Sequence, residues 1–183
     1  VFLHAFQRLN GGEAEWVTMD FFDTDDDNKV IEHWDVIAPY ADRTPSGHTS
    51  VDGPTEVDDR DMTEANKAVV RDLIERALIG RDVSAIEEHI SAASYIQHNQ
   101  DVADGRDAFH TLARDPNRAL NYQEIVLLVG EGNFVATLSK ATWDQQALCQ
   151  ADLFRLEDGR IVEHWDASEP VPPASELANG GKF

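Results

Sequence analysis

From Thr63 onward the apolar positions fall into helical order. Val69, Val70, Leu73, Ile74, Ala77 and Leu78 recur at three- and four-residue spacing in "EANKAVVRDLIERALIG", which predicts an amphipathic helix. Thr63 reads as its N-cap, Glu64 sits in the first turn and Gly80 is the stop. A short helix in "VSAIEEHI", an extended "SYIQHN" and a third helix in "GRDAFHTLAR" follow. Alternation then replaces helical spacing. "QEIVLLVGEGNFVATLSKATW" reads as a β-hairpin turning at "GEGN", and two further strands close the chain.

The final strands have a counterpart at the start. "MDFFDTDDDNKVIEHWDVIAP" at 19–39 aligns with "ADLFRLEDGRIVEHWDASEP" at 151–170, and "VFLHAFQRL" lies over "VATLSKATW". Residues 1–39 therefore repeat 135–170. Between them, 41–62 carries prolines, glycines and acids without apolar periodicity and reads as a linker. The expected organisation is a partial domain over 1–40 (its last three strands), a linker over 41–62, a complete domain over 63–174 and a tail over 175–183. The chain opens mid-pattern at Val1 without Met, so the rest of the first domain is expected upstream.

The order helix, helix, strand, helix and then antiparallel strands, with "YIQHN…DGRDAF" after the second helix and "DLFRLEDGRIVEHWD" at the end, resembles the SnoaL-like polyketide cyclase family. That family belongs to the nuclear-transport-factor-two-like superfamily. The resemblance covers 63–174 as a whole domain and 1–40 as part of a second. It implies an α+β fold, a cone-shaped curved antiparallel sheet packed against three helices and preceded by a partial second copy of the sheet.

Composition narrows the partners. With 35 acidic against 15 basic residues and a net charge of −20, the surface repels phosphate backbones and anionic lipid, which argues against nucleic-acid and membrane partners. Acid-rich, lysine-poor chains also resemble those of salt-loving organisms, where salt screens self-repulsion. Cys149 is the only cysteine, so no internal disulfide or thiolate zinc cluster can form. No apolar run is long enough for a membrane span. A soluble, cytoplasmic protein is the expectation.

Alternation places His164 and Asp166 on one face of the last strand and Glu163 and Trp165 on the other. If the first pair faces the cone, an imidazole and a carboxylate stand about 6–7 Å apart along the strand. Desolvation would raise the carboxylate's pKa, and such a base could remove a proton beside a carbonyl. The competing reading is a His–Asp pair that merely satisfies a polar patch. The resemblance adds that similar aldol-type cyclases use an aspartate as acid/base with a histidine nearby, and by position these are Asp166 and His164.

In "YIQHN" either His98 or the set Tyr95, Gln97 and Asn99 looks inward. His98 is taken as a third catalytic candidate, a donor to an enolate oxygen, with Tyr95 and Asn99 as ligand-binding positions. Asp152 is a possible second pocket carboxylate, although an exposed strand acid is the commoner case. Trp143 is a weak candidate for pocket lining. A metal on His98, His164 and Asp166 is disfavoured by their spacing. "DTDDDN" lacks the glycine and glutamate of a calcium loop and reads as a hairpin turn.

The expected function is thus a cofactor-independent cyclase or isomerase acting on a small carbonyl compound. The alternative is a cone that holds an apolar ligand without chemistry. A homodimer through the outer sheet face is expected, with Trp165, Glu163, Trp34 and Glu32 as contacts. The three strands of the first copy must pack on the complete domain, on a second chain, or on residues outside the sequence.

Overall fold

The computed structural model describes residues 1–179 and 181–183. Three strands come first: β1 (Phe2–Leu9), β2 (Ala14–Thr24) and β3 (Val30–Pro39). After an irregular stretch come α1 (Thr63–Asp72), continued by a wider π-helical segment (Leu73–Ile79), α2 (Ser84–His89), β4 (Ile96–Gln97) and α3 (Arg106–Arg114). The chain closes with β5 (Leu120–Glu131), β6 (Phe134–Trp143), β7 (Gln146–Glu157) and β8 (Arg160–Pro170).

The helix predicted from Thr63 is present, but its ends work differently. Thr63 does not cap its own helix. Its hydroxyl donates to the Arg60 carbonyl at 2.8 Å and accepts from the Gly132 N–H at 2.8 Å, tying the helix start to the β5–β6 turn. At the far end the left-handed residue is Arg81 (φ 61). Gly80 is required for room instead, since a Cβ there would meet the Arg76 carbonyl oxygen at 2.9 Å.

The five-stranded sheet runs β4-β8-β7-β6-β5, with all its neighbours antiparallel except β4, which lies parallel to β8. Register shifts in β5 and near Arg155 are the irregularities that bend a sheet, and the curve wraps the helices. On that inner side Val70, Leu73, Ile74, Ala77, Ile86 and Phe109 pack on Val135, Phe154, Leu156 and Ile161.

The three-stranded sheet β1-β2-β3 repeats the register of β6–β8. Asp20 pairs with Asp35, Phe21 with Trp34 and Phe22 with His33. Asp152 pairs with Asp166, Leu153 with Trp165 and Phe154 with His164. This second copy lies against the outer side of the larger sheet, where Met19, Phe21 and Val36 pack with Ala136, Leu138, Ala151, Leu153 and Trp165. Trp165 is left 2% exposed.

Packing on the five-stranded sheet is therefore how one face of the first three strands is covered. It also corrects the expected homodimer contact: the outer face assigned to a second chain is taken by β1–β3 of the same chain. Of the four expected contacts, Trp165 and Trp34 join that core, Glu32 is exposed, and Glu163 is buried in an ion pair described below.

Residues 41–62 contain no strand and only one short turn of helix, yet they are tightly attached. Asp58 and Asn133 exchange two hydrogen bonds of 2.9 Å, and the Trp165 indole N–H donates to the Asp52 carbonyl at 2.9 Å. The acidic run at 23–28 forms a hairpin turn in which Asp25 Oδ1 accepts the N–H groups of Asp27 and Lys29 at 3.0 and 2.9 Å.

The packing of the two sheets predicts that Phe21→Ala costs about 3–5 kcal/mol, as for other buried aromatics. Urea unfolding measures this, and an unchanged midpoint would show that β1–β3 contributes nothing to the core.

Candidate active site

The edge pairing of β4 decides what faces the cone. Gln97 lies opposite His164, and the His98 N–H donates to the His164 carbonyl at 3.0 Å. Alternation then directs Tyr95, Gln97 and Asn99 inward and His98 outward.

A continuous polar network fills the inner face. Asp152, with 0% exposure, accepts from the Tyr122 hydroxyl at 2.8 Å, the Gln150 amide at 3.2 Å and the Thr137 hydroxyl at 3.3 Å. His164 Nε2 meets the same carboxylate at 3.1 Å. His164 Nδ1 meets Gln97 Oε1 at 2.9 Å. That oxygen also accepts the Asn99 backbone N–H at 3.1 Å, so it is an acceptor and Nδ1 must carry a proton. Asp166 Oδ2 accepts from Asn99 Nδ2 at 2.7 Å and Gln150 Nε2 at 3.3 Å. Among the described residues, no hydrogen bond reaches Asp166 Oδ1.

Burial shifts the titrations. It works to lower the pKa of His164, but the hydrogen bond to Asp152 and the charges of Asp166 and Asp152 outweigh it, so the imidazolium persists above its ordinary range. Burial pushes the Asp166 carboxyl above the ordinary carboxylate range. The His164 charge pulls it back, Asp152 pushes it up again, and the Asn99 and Gln150 amides pull back in smaller measure. Tyr95 and Tyr122 are driven upward by burial and by the two aspartates, which keeps both phenols protonated.

Two connected spaces adjoin Asp166. The deep one holds only about 50 Å³ and is lined by Gln97, Arg118, Tyr122, His164 and Asp166 among others. The mouth holds about 390 Å³ and is bordered by Asn99, Trp143, Gln150 and Asp166. Asn99, Leu120 and Asp166 belong to both. Arg118 caps the helical layer by donating to the Leu78 and Ala113 carbonyls, while its Nε has no partner among the described residues.

The structure thus brings together Asp166, His164, Asp152, Tyr95 and Asn99, with Trp143 at the rim, 49% exposed. One expectation needs correction. His98 is not in the cone: it lies on the opposite side of the sheet, its Nε2 2.9 Å from Glu163 Oε1, because alternation on β4 sends it away from Gln97. It therefore cannot share an ion with His164 and Asp166. Asp152 is no exposed strand acid, since β7 runs between β6 and β8. His164 pairs with Asp152 across the strands, rather than with Asp166 along its own. Gln97, Gln150, Thr137 and Tyr122 complete the network. Gln97 and Gln150 were legible only as alternation partners of Tyr95 and Asp152.

Comparison with known proteins places the fold. No family model and no curated protein matches the chain. Among solved structures, a candidate ketosteroid isomerase from Kribbella flavida DSM 17836 is similar at 18% identity and a TM-score of 0.51, covering 64% of this chain and 90% of that one. An NTF2-like protein of unknown function from Mesorhizobium loti is similar at 18% identity and 0.51, covering 64% and 97%. A candidate SnoaL-like polyketide cyclase from Jannaschia sp. CCS1 is similar at 17% and 0.50, covering 64% and 92%. The fold is that of the nuclear-transport-factor-two-like superfamily. No helix among the described residues is long and apolar enough to cross a membrane.

His164 provides the test of the network. Its raised pKa means that its charge stabilises the fold below about pH 6.5, and that this contribution is lost as pH rises through the higher folded value. Asp152→Asn is expected to lower the His164 titration seen by NMR and to flatten that pH dependence of stability. An unmoved titration would uncouple the two residues.

Proposed function

We propose that the cone catalyses proton transfer at a carbon beside a carbonyl, the step shared by cyclases and isomerases of small apolar ketones, with Asp166 as the base. The observation that carries this reading is the state of Asp166. One carboxylate oxygen is fixed by two amides, the other has no hydrogen-bond partner among the described residues, and the group lines both the small cavity and the wider one. Desolvation raises its basicity, which brings it closer to the range where a general base works at neutral pH.

The deep cavity is too small for a whole substrate. The reacting end would enter beside Asp166 while the rest occupies the mouth against Trp143. Asp166 Oδ1 takes the α-proton, and the electron pair left on carbon delocalises onto the carbonyl oxygen. Arg118 lines the same cavity and supplies the positive charge nearest that oxyanion, although its Nε is sealed from the space and its other nitrogens donate to the Ala113 and Leu78 carbonyls. His164 is a positioning residue: engaged at both ring nitrogens, it holds Asp152 and Gln97, and through Gln97 the Asn99 backbone. These roles need no cofactor.

A second reading follows from the small deep cavity: the cone binds an apolar small molecule at its mouth and performs no chemistry. Exchange of α-protons of a ketone panel into D₂O separates the two. The parent is expected to exchange them with a rate that rises with pH through a pKa above the ordinary carboxylate value of about 3.9. Asp166→Asn is expected to lower the rate about 10²–10⁴-fold. No exchange by the parent, with equal ligand binding by parent and variant, would establish the binding reading instead.

A further inference from the structure

A second cluster lies on the far side of the five-stranded sheet, where residues 48–54 fold over β4 and β8. At its base is His98, whose side chain is 0% exposed. Its ring stacks on Trp165, with centroids 4.6 Å apart and planes at 14°. His98 Nε2 meets Glu163 Oε1 at 2.9 Å, and Arg155 Nε donates to the other Glu163 oxygen at 2.7 Å. His98 Nδ1 points at Asp52 Oδ1, 3.1 Å away, and at the Thr49 carbonyl, 2.8 Å away. His48 Nδ1 lies 3.3 Å from Asp52 Oδ2. One donor atom from each of His48, Asp52 and His98 falls within 4.8 Å of the others.

Both His98 nitrogens therefore face oxygen acceptors, whereas a neutral imidazole has one proton to give. A second proton or a bound metal ion meets that deficit, and the surroundings of the ring suit the ion. The Glu163 side is arranged as an outer-shell carboxylate is at a metal-bound histidine: it takes the Nε2 proton and leaves the Nδ1 lone pair aimed at Asp52 and His48. Zinc–ligand bonds of roughly 2.0–2.2 Å in a tetrahedron put donors about 3.3–3.5 Å apart; here the His98 and His48 nitrogens stand 3.1 and 3.3 Å from the two different oxygens of Asp52, and one donor from each residue lies within 4.8 Å of the others. Two imidazoles and a carboxylate are a donor set that suits zinc and its neighbours.

The loop holds this arrangement in place. The Thr49 N–H and hydroxyl donate to Asp52 Oδ1 at 2.8 and 3.1 Å. Gly53, at φ +124, lets the backbone come so close that a Cβ would lie 2.7 Å from the Trp165 ring and 2.9 Å from Glu163 Oε1. A cavity of about 440 Å³, bordered by Asp52, His4 and Trp165, opens beside the cluster. His4 Nε2 has no partner among the described residues.

We propose that His48, Asp52 and His98 bind a divalent transition-metal ion of the zinc type, which clamps the 41–62 segment onto β4 and β8. The cluster of Asp72, Glu88 and His89 is equally compact, but the Arg76 guanidinium already bonds Asp72 at 3.0 Å and Glu88 at 2.7 Å and fills it with a fixed positive charge.

The whole chain, stripped by a chelator, would be titrated with Zn²⁺ by calorimetry and with Co²⁺ by visible absorption. The expected results are saturable binding of a single ion, a tetrahedral-type cobalt spectrum and a Tm that rises with Zn²⁺ concentration. The His48 side chain is 35% exposed, so His48→Ala should leave the fold intact while weakening Zn²⁺ binding on the order of 10–100-fold or more. His89→Ala should leave binding unchanged. Absence of saturable binding to the parent, or binding retained in His48→Ala and lost in His89→Ala, overturns the proposal.

Discussion

Burying the Asp152 carboxylate is the constraint around which the domain is arranged. An ionised carboxyl taken out of water costs several kcal/mol unless it is fully paired, and this one has 0% exposure. Its partners come from every antiparallel strand of the larger sheet: Tyr122 from β5, Thr137 from β6, Gln150 from β7 and His164 from β8. The remaining strand, β4, supplies Gln97 to the other side of the His164 ring. A slip by one residue in any of these strands would turn its donor to the opposite face and leave the charge stranded. The network thus fixes the register, and the register in turn places Asp166 beside Asn99 and Gln150.

The partial copy shows what the same residues do without that enclosure. His33 Nε2 sits 2.9 Å from Asp20 Oδ1, the counterpart of the 3.1 Å contact between His164 and Asp152, and His33 stacks on Phe22 as His164 does on Phe154. Yet Leu3 stands where Thr137 would be, Thr18 where Gln150 would be, and no helix covers the face. The His33 side chain is 43% exposed. Its partner Asp20 keeps only 12%, so the pair is open to water on the histidine side and weaker than one sealed on both. The two copies share the His–Asp pair and its register but not the Thr137 and Gln150 donors or the layer of helices, and these, rather than the motif, separate a site from a patch.

The pattern of the chain exposed the elements well, because helical spacing and strand alternation are local properties. Even so, alternation says which residues share a face without saying which face is inside. His98 was assigned to the cone for that reason, and only the parallel pairing of β4 with β8, a contact across more than sixty positions, sends it outward. Asp152 is legible as a pocket candidate from its strand, but composition weighs against it: in so acidic a chain an aspartate on a strand defaults to solvent. Its burial follows from the central place of β7, which depends on strand order. The segment at 41–62 looked like a linker because it has no periodicity, but periodicity reports regular structure and not attachment. Asp58, Asp52 and Thr49 attach it through contacts to Asn133, Trp165 and His98 that leave no repeat to read.

Within "VEHWD" the two sets of alternating residues serve different environments. His164 and Asp166 belong to the inner network, where removal of water shifts titrations and raises basicity. Glu163 and Trp165 belong to the outer side, where Trp165 fills the space between the sheets and Glu163 orients His98 under the connecting segment. A single strand therefore couples the cone to the covering of its back: moving β8 to repack Trp165 would also move Asp166 relative to Asn99. In the first copy Trp34 still packs between the sheets while Glu32 is exposed. The packing half of the motif is thus kept where nothing encloses the other half, as expected if burying the back of the sheet is the condition that a site on the front must first meet.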